Sequence, residues 1–565
     1  MVNMKRRDFI SSLSVGAGTV SAGFSDTNLK FLTEAGETAA IPAGADLVIA
    51  GGGLGGVAAS IAALRNNLKV ILIEETDWIG GQLTSQGVPP DEHPWIETHG
   101  APLSYRQLRN GIRDYYKRNY PLTDEARNRP QLNPGDGAVS RLCHEPKVAL
   151  AVMLEMLAPY ISTGKLTILT EHKPIEAKVS GNTISTLTVK NLRTGSLKKF
   201  SAPYFVDATE TGDLLPLTGT EYVTGTESRT QTGELHAPDK ADPLNNQSFT
   251  ICFAMDHVQG QDHVIDKPLD YNAWKQYVPA LKPAWPGKLL SLTYTHPSSL
   301  QPKTLGFHPD GIATGETLNL WNYRRIISRQ NFIKGVYDGD ISVVNWPQND
   351  YMRGNIIGVS DKEFQEHILR AKQLSLSLLY WLQTEVPRPD GGKGWRGLRL
   401  RGDIMGTQDG LAKYPYVRES RRIKARFTIL EKHVGKEQSG GKAAYFPDSV
   451  GIGYYHIDLH PSNRGVNYVD FPSVPFQIPL GALLPVRMQN LLPANKNIGT
   501  THLTNGCYRL HPVEWSIGEA VGCLIAFSKE KNVPPSDVRD NKQLLSAFQH
   551  FIREQGIETD WPPVN

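Results

Sequence analysis

The sequence predicts a mixed α/β fold in which both ends of the chain build one parallel sheet and the middle forms an inserted domain. Three observations support this prediction. Residues 45–73 alternate strand, glycine-rich turn, helix and strand, and residues 490–527 return to a short strand and a small-residue helix. Residues 221–440 are richer in Pro, Trp and Tyr and lack this alternation. Alternating strands and helices are typical of parallel sheets covered by helices.

The first unit of this fold has the pattern of a dinucleotide-binding turn. An apolar run at 45–50 predicts a buried strand, and small apolar residues at 57–64 predict a helix packed closely on a sheet. A second strand is predicted over 69–73. The segment Gly51–Gly56 between the first strand and the helix has the GxGxxG spacing. In this context the spacing predicts a nucleotide site, although a glycine turn that binds nothing is the alternative.

Each glycine of the turn has a predicted role. Gly51 permits a tight turn, Gly53 lets the backbone approach a diphosphate, and Gly56 allows close helix packing. The helix N-terminus offers free N–H groups and a partial positive charge to the phosphates. Glu74, where the second strand ends, is placed to accept hydrogen bonds from ribose hydroxyls. Its charge disfavours the 2′-phosphate of NADP.

The rest of the chain has weaker local signals. The predicted elements are a helix over 146–160, a strand over 166–170, an antiparallel meander from 175 with turns at 180–182 and 193–195, a strand over 204–209 and a helix over 361–383.

The C-terminal region decides which nucleotide is expected, because the glycine unit does not separate FAD from NAD. A helix is predicted from His511, with Pro512 in its first turn. Its N-terminus could face a flavin pyrimidine, where the helix dipole stabilises the negative charge of reduced flavin. Gly518 and Gly522 leave one helix face bare for close packing.

Composition excludes several other classes of protein. The 565 residues carry a net charge of +3, with the basic residues scattered, so nucleic acid is not an expected partner. No apolar stretch is long enough for an integral membrane segment. The 4 cysteines have no CxxC pair, which indicates neither a zinc site nor a disulfide scaffold.

The N-terminus resembles a twin-arginine export signal. Arg6-Arg7 precede a mildly apolar run that is rich in Ser, Gly and Ala and extends to about Phe24. Val20-Ser21-Ala22 offers a small-residue cleavage site. A periplasmic location is expected, since this route exports folded protein with its cofactor inserted; a disordered basic tail is the alternative.

Two longer motifs resemble those of a known family. Gly80–Thr84 reads GGQLT and Arg509–Ala520 reads RLHPVEWSIGEA, and both resemble the FAD-dependent oxidoreductase family of glutathione-reductase-like fold. The resemblance extends from Ala45 to Phe527. It implies an FAD-binding Rossmann domain with an inserted substrate or cap domain, and FAD bound in extended form with its isoalloxazine at the domain boundary. One departure is Glu210-Thr211, where many FAD proteins have a glycine directly after Ala-Thr.

The predicted domains follow from these segments. They are a signal and linker over 1–40, a first FAD-binding segment over 45–220, a substrate or cap domain over 221–440, the end of the cap and a second FAD-binding segment over 441–530, and a C-terminal extension over 531–565.

The predicted cofactor contacts come from both ends of the chain. Gly81 would let the backbone pass the diphosphate, and Gln82 would donate to a phosphate or to the flavin edge, unless the pair is an ordinary Gly-Gly loop. The full predicted set is Gly51, Gly53, Gly56, Glu74, Gly81, Gln82, Asp207, Gly212, Asp213, Trp515 and Gly518.

Three residues beside the flavin-facing helix are predicted to be catalytic: His502, Arg509 and His511. A histidine that titrates near neutral pH suits a base, and Arg509 suits an anionic or hydroxyl-bearing substrate. A structural, hydrogen-bonded role is the alternative for each of them.

A second set is predicted to line the substrate pocket. On a strand, His456, Asp458 and His460 would share one face, but three ligands within one strand rarely converge on a metal, so no metal is expected. Tyr455 and His456 are expected to contact substrate instead. Arg418 belongs to a charged run that is otherwise a solvated face, and the family resemblance places it near the active site.

The first functional hypothesis is an FAD-dependent oxidoreductase that accepts a hydride at flavin N5 from a small polar substrate, an alcohol, amine or sugar-like molecule. Oxygen, a quinone or a redox protein would then accept the electrons. One alternative is a carbohydrate-processing lyase or binding protein with a vestigial nucleotide unit. The other is an NAD-dependent dehydrogenase.

Overall fold

The computed structural model describes residues 44–309, 311 and 317–563, and the predicted twin-arginine signal lies outside them. The strands are β1 (Leu47–Ala50), β2 (Val70–Ile73), β3 (Leu166–Leu169), β4 (His172–Ser180), β5 (Thr183–Asn191), β6 (Leu197–Phe200), β7 (Tyr204–Asp207), β8 (Tyr222–Val223), β9 (Phe249–Thr250), β10 (Phe253–His257), β11 (Thr293–Thr295), β12 (Pro302–Thr304), β13 (Arg325–Ile327), β14 (Ile341–Val344), β15 (Asp350–Tyr351), β16 (Leu398–Leu400), β17 (Arg422–Ile423), β18 (Ser449–Gly453), β19 (Ile457–Leu459), β20 (Val469–Phe471), β21 (Phe476–Pro479) and β22 (Leu491–Pro493).

The α-helices are α1 (Leu54–Arg65), α2 (Leu103–Asn119), α3 (Asp124–Asn128), α4 (Pro146–Ser162), α5 (Leu214–Thr218), α6 (Arg229–Thr232), α7 (Tyr271–Gln276), α8 (Leu320–Tyr323), α9 (Asp361–Thr384), α10 (Gly402–Met405), α11 (Glu431–Val434), α12 (His502–Tyr508), α13 (His511–Lys531), α14 (Pro535–Asp540) and α15 (Lys542–Glu554). Short 3-10 helices cover Gly81–Leu83, Arg329–Asn331, Pro347–Asn349 and Leu480–Leu483.

The central sheet is parallel, with the strand order β22-β7-β1-β2-β3. Leu47 of β1 lies opposite Val70 of β2 on one side and opposite Tyr204 of β7 on the other. β22, from the far end of the chain, extends the sheet by placing Leu491 opposite Phe205. The predicted α/β fold class, with one parallel sheet made from both ends of the chain, is therefore confirmed.

Helices α1 and α13 pack against each other through small residues. A Cβ atom on Gly518 would lie 2.0 Å from the Gly55 carbonyl oxygen, and one on Gly522 would lie 2.4 Å from that of Ala59. The residue numbers of α1 and α13 increase in the same direction along this contact, so the two helices run parallel to each other. Their N-termini consequently lie at the same edge of the sheet, where β1 ends.

The other predicted elements are found with small shifts at their ends. β4, β5 and β6 form the predicted antiparallel meander. α4 ends at Ser162, two residues beyond its predicted end, and α9 ends at Thr384, one residue beyond. A capping box of Ser360 and Glu363 begins α9, which satisfies N–H groups of its first turn.

The middle of the chain forms a second layer with its own core. β13, β14, β10 and β16 make an antiparallel sheet, and Leu378 of α9 belongs to the same apolar core as Trp346. These strands are at most five residues long, which explains why no alternation was visible in the sequence. Across the portion of the chain that the structure describes, every helix is too short or too polar to cross a membrane.

Candidate functional site

The glycine turn between β1 and α1 combines two tight contacts with one open face. Gly51 has φ +97°, and a Cβ atom there would lie 2.1 Å from the Ala208 carbonyl oxygen. A Cβ atom on Gly56 would lie 2.0 Å from the Gly51 carbonyl oxygen. At Gly53 the nearest atoms are side-chain carboxylate oxygens at 3.2 Å, and no backbone atom crowds it. Gly53 is therefore the position of the turn where side chains, and no backbone, line the approach of another molecule.

Glu74 lies at the end of β2, beside the same turn. Its Oε2 accepts the Gly52 N–H at 2.8 Å, and its Oε1 accepts the N–H and hydroxyl of Thr76, each at 2.8 Å. Burial raises the pKa of Glu74 to about 7. The carboxyl group thus holds the turn together, and a ribose hydroxyl would have to share its oxygens.

The GGQLT segment packs directly onto the turn. Gly80 and Gly81 have positive φ, and a Cβ atom on Gly81 would lie 2.9 Å from the Gly53 Cα. Gln82 Nε2 donates to the Arg509 carbonyl oxygen at 3.1 Å and to the Glu514 carboxylate. Gln82 was expected to face a phosphate or the flavin edge; here it joins the turn to the start of α13.

The segment after β7 is organised by Asp207. Its Oδ1 accepts the N–H and hydroxyl of Thr209, and its Oδ2 accepts the Leu214 N–H at 3.0 Å. Gly212 has φ +68°, and Asp213 accepts from the Thr211 hydroxyl at 2.7 Å. These contacts show Asp207 bound to its own loop, and the cofactor contacts of Asp207, Gly212 and Asp213 stay predictions.

Two further carboxylates, absent from the predicted site set, reach the turn. Glu514 Oε1 accepts the Gly55 N–H at 3.1 Å, at the N-terminus of α1. Glu210 pairs with Lys496 through Oε2, while its Oε1 is buried without a hydrogen-bond partner among the described residues. The available signal for Glu514 was an acidic residue in the first turn of a helix, at its positive end.

Trp515 lies on a different side of α13 from Glu514 and Gly518, which both contact Gly55. The Trp515 indole donates to Ser104 at 2.7 Å and lies near the Tyr105 ring, so it faces α2. The structure does not bring Trp515 to the glycine turn. Gly518 lies against Gly55, where it sets the distance between α13 and α1.

This arrangement fits an extended dinucleotide. The N-termini of α1 and α13 open at the same edge of the sheet, and both favour negative charge. The open face of Gly53 lies between them and can admit a diphosphate. The unpartnered Oε1 of Glu210 and the carboxyl group of Glu74 are acceptors that suit sugar or ribityl hydroxyl groups.

Beyond Gln82, a series of charged side chains leads away from the turn. Arg509 donates to the Asp458 carbonyl oxygen and Oδ2, both at 3.0 Å. His460 Nε2 lies 3.8 Å from Asp458 Oδ2, and its Nδ1 lies 2.6 Å from Asp350 Oδ2. Arg418 lies 3.1 Å from Asp350 Oδ1. Arg418, predicted from sequence, and Arg509 thus become the two ends of one buried network, the ion-pair chain.

Within the ion-pair chain, Asp458 is held in its charged form. Burial alone would raise the pKa of Asp458, but His460 and Arg509 hold it at about 2. The observed strand at this point, β19, spans only three residues, so His456 and His460 flank it. His456 turns to Asp470, with 3.1 Å between Nδ1 and Oδ2. His456 is therefore paired outside the ion-pair chain that contains Asp458 and His460.

Two tyrosines border the ion-pair chain. Burial raises the pKa of Tyr416 to about 12, although the guanidinium groups of Arg509 and Arg418 favour its ionised form. The ring of Tyr455 lies 4.4 Å from that of His456, and burial raises its pKa. Both phenols therefore stay protonated and remain available as hydrogen-bond donors.

The two predicted catalytic histidines have different surroundings. His502 Nδ1 lies 2.8 Å from Glu419 Oε1, a partner that was not in the predicted set. His511 Nδ1 accepts the Asp91 N–H at 3.1 Å, which places the ring proton on Nε2. Burial lowers the pKa of His511 to about 3. His511 therefore does not meet the expectation of a histidine that titrates near neutral pH; it is a neutral hydrogen-bond donor.

Comparisons with known proteins agree with this geometry. The sequence profile of the FAD dependent oxidoreductase family matches residues 46–552. No curated protein sequence matches the chain.

Three solved structures are similar to portions of the fold. The FrdA chain of E. coli quinol fumarate reductase aligns over 91% of this chain and 74% of its own, with 12% identity and a TM-score of 0.32. A geranylgeranyl bacteriochlorophyll reductase-like protein from Thermoplasma acidophilum aligns over 91% and 84%, with 11% identity and a TM-score of 0.30. Glycerol-3-phosphate dehydrogenase from Bacillus halodurans, complexed with FAD, aligns over 41% and 42%, with 12% identity and a TM-score of 0.23.

The chain therefore spans less than half of the dehydrogenase that it matches. TM-scores of this size support no inference for this chain, so the assignment rests on the profile match, which covers most of the sequence. That match also decides between FAD and NAD. The chain belongs to the FAD-dependent oxidoreductase family, and its cofactor is FAD.

Proposed function

We propose that the protein oxidises a small polar substrate of the alcohol, amine or sugar-like type. FAD, when bound, supplies the hydride acceptor at N5. The observation that carries the proposal is the ion-pair chain. It begins at Arg509, whose carbonyl oxygen accepts a hydrogen bond from Gln82. Its two guanidinium groups, on Arg418 and Arg509, are matched by the carboxylates of Asp350 and Asp458.

This balance of charge favours one class of substrate. The two guanidinium groups and the two carboxylates of the ion-pair chain present both donors and acceptors to a bound molecule. A hydroxyl or amine group can donate and accept in such surroundings, whereas a carboxylate substrate would find each cation already paired. Tyr455 and His456 border the same region and are proposed to contact the substrate.

The proposed proton acceptor is His502. The Glu419 carboxylate lies on the Nδ1 side of the ring, 2.8 Å away, so Nε2 is the nitrogen proposed to take the proton of a substrate hydroxyl as the hydride leaves. The neighbouring carboxylate stabilises the imidazolium that forms. His460 is the second candidate, because its Nδ1 is likewise held by a carboxylate, that of Asp350.

The electron acceptor is proposed to be oxygen, a quinone or a redox protein, in the periplasm. The twin-arginine motif at Arg6-Arg7 supports this location. The chemistry at the flavin requires an acceptor of one of these kinds, since each turnover leaves two electrons on the protein.

The test is a substrate panel with anaerobic flavin bleaching of the purified holoprotein. Neutral alcohols, amines and sugars are expected to bleach the flavin absorbance, and 2-hydroxy acids of similar size are expected to react more slowly. A protein bleached only by carboxylates would overturn the proposed substrate class. His502→Asn and His460→Asn, compared on the best substrate, identify the proton acceptor.

A further inference from the structure

Two carboxylates meet at the one open face of the glycine turn. A Cβ atom built on Gly53 would lie 3.2 Å from Glu210 Oε1 and 3.2 Å from Glu514 Oε1. Glu210 Oε1 also lies 3.0 Å from the corresponding point on Gly81. Both carboxyl groups are thus aimed at the space through which a diphosphate must reach the backbone.

The charges around this space do not balance. Among the described residues, the charged groups that face the Glu514 carboxyl are Glu210, which follows β7, and Lys496, which follows β22. Lys496 is buried and pairs with Glu210. From α1 and the 3-10 helix, Glu514 meets the neutral donors Gly55 N–H and Gln82 Nε2. Two acidic groups therefore share one cation.

FAD brings more negative charge to the same place. Glu514 accepts the Gly55 N–H, a donor at a helix N-terminus that phosphate oxygens commonly use. A carboxylate and a phosphate are both acceptors and repel each other, whereas a protonated carboxyl group is a donor. Burial, with Glu210 adding to it and Lys496 opposing it, raises the pKa of Glu514 to about 7.

We propose that FAD binding takes up one proton from solvent at the Glu210–Glu514 pair, and that Glu514 carries this proton in the complex. The proton neutralises one of the two acidic groups and turns an acceptor into a donor at the diphosphate groove. This proposal rests on FAD being the cofactor and is independent of the substrate.

The test is the pH dependence of FAD affinity. Holoprotein is diluted to nanomolar concentration between pH 6.5 and 9.0, and released FAD is measured by its fluorescence. Uptake of one proton predicts that Kd rises about tenfold for each pH unit above neutrality. Circular dichroism at each pH verifies that the fold persists. A Kd that stays constant over this range overturns the proposal.

Three variants locate the proton. Glu514→Gln is expected to flatten the dependence, because the amide is neutral at every pH. Glu519→Gln is the matched control: Glu519 is buried on the same helix but binds Ser104 and Arg65, so the slope should persist. Glu210→Gln removes the second acidic group, so that Lys496 opposes the charge of Glu514 alone and Glu514 should stay charged with and without FAD. This variant should therefore also flatten the slope, which covers the case in which Glu514→Gln does not fold. An unchanged slope in both Glu514→Gln and Glu210→Gln would place the proton elsewhere and overturn the assignment.

Discussion

The glycine turn and the ion-pair chain are neighbours, but they are built in opposite ways. The turn is made from backbone and glycine within six consecutive positions, Gly51–Gly56. The ion-pair chain is made from charged side chains, and His460 meets Asp350 across 110 positions of sequence. The turn therefore depends on the absence of side chains, and the ion-pair chain depends on their pairing. Substitutions should break the two regions by different mechanisms.

The largest effect is expected at the open face of the turn. Gly53→Val places a side chain in the space where the diphosphate meets the backbone, so detectable FAD binding should be lost. Flavin absorbance of the purified variant measures this loss. Gly306→Val is the control, because no atom of the described residues lies closer than 3.6 Å to a Cβ atom built there. Full FAD occupancy in Gly53→Val would contradict the placement of the phosphate site.

The next largest effect is a loss of stability, which distinguishes the ion-pair chain from an ion pair on the surface. Arg509→Met leaves the largely buried Asp458 carboxylate without its guanidinium partner. Breaking a buried ion pair in this way destabilises a protein by about 3–5 kcal/mol. Denaturant unfolding of the holoprotein measures this difference.

The control for that measurement is Arg464→Met, which removes the exposed contact with Asp242. An exposed pair is worth at most about 1 kcal/mol. If both variants lose the same small amount, the ion-pair chain is not the tightly coupled network that its burial indicates.

The difference between the glycine turn and the ion-pair chain also explains which parts of the molecule could be predicted from the sequence. The sheet, the turn and α13 were predicted because their signals are local: apolar runs, glycine spacing and a proline in a first helical turn. The contacts of Gly518 with Gly55 likewise follow from two small-residue helices. The packing of α1 against α13 needed no knowledge of the inserted domain.

The partners in the ion-pair chain were not predictable in this way. Asp350 and Glu419 come from the middle of the chain, and nothing local shows that they face His460 and His502. His511 was expected to titrate near neutral pH, but its burial depends on packing that only the folded chain supplies. The roles of charged residues depend on tertiary contacts. The sequence therefore predicted Arg418 and Arg509 of the ion-pair chain but not their carboxylate partners.

A smaller effect on the free energy of unfolding is expected when the pH falls. The pKa of Asp458 is about 2 in the folded protein, below its ordinary value of 3.8. A depressed carboxyl pKa contributes stability above the unfolded value, and this contribution is lost as pH falls from about 4 to about 2. The shift corresponds to about 2 kcal/mol. Asp458→Asn should remove this component of the acid dependence of unfolding. An unchanged acid dependence would place the stabilising carboxylate elsewhere.

The smallest effect concerns a residue that acts through another. Under the proposed function, Glu419 positions His502 and stabilises its charged form, while Gln at this position keeps the shape without the charge. Glu419→Gln should lower kcat about tenfold, which equals about 1.4 kcal/mol, and leave KM nearly unchanged. Glu419→Asp should recover some of the loss, because it restores the carboxylate. Glu437→Gln, at an exposed position, is the control. Flavin absorbance must match in all three variants, which verifies equal cofactor content. A rise in KM with kcat intact would mean that Glu419 shapes the pocket and does not assist proton transfer.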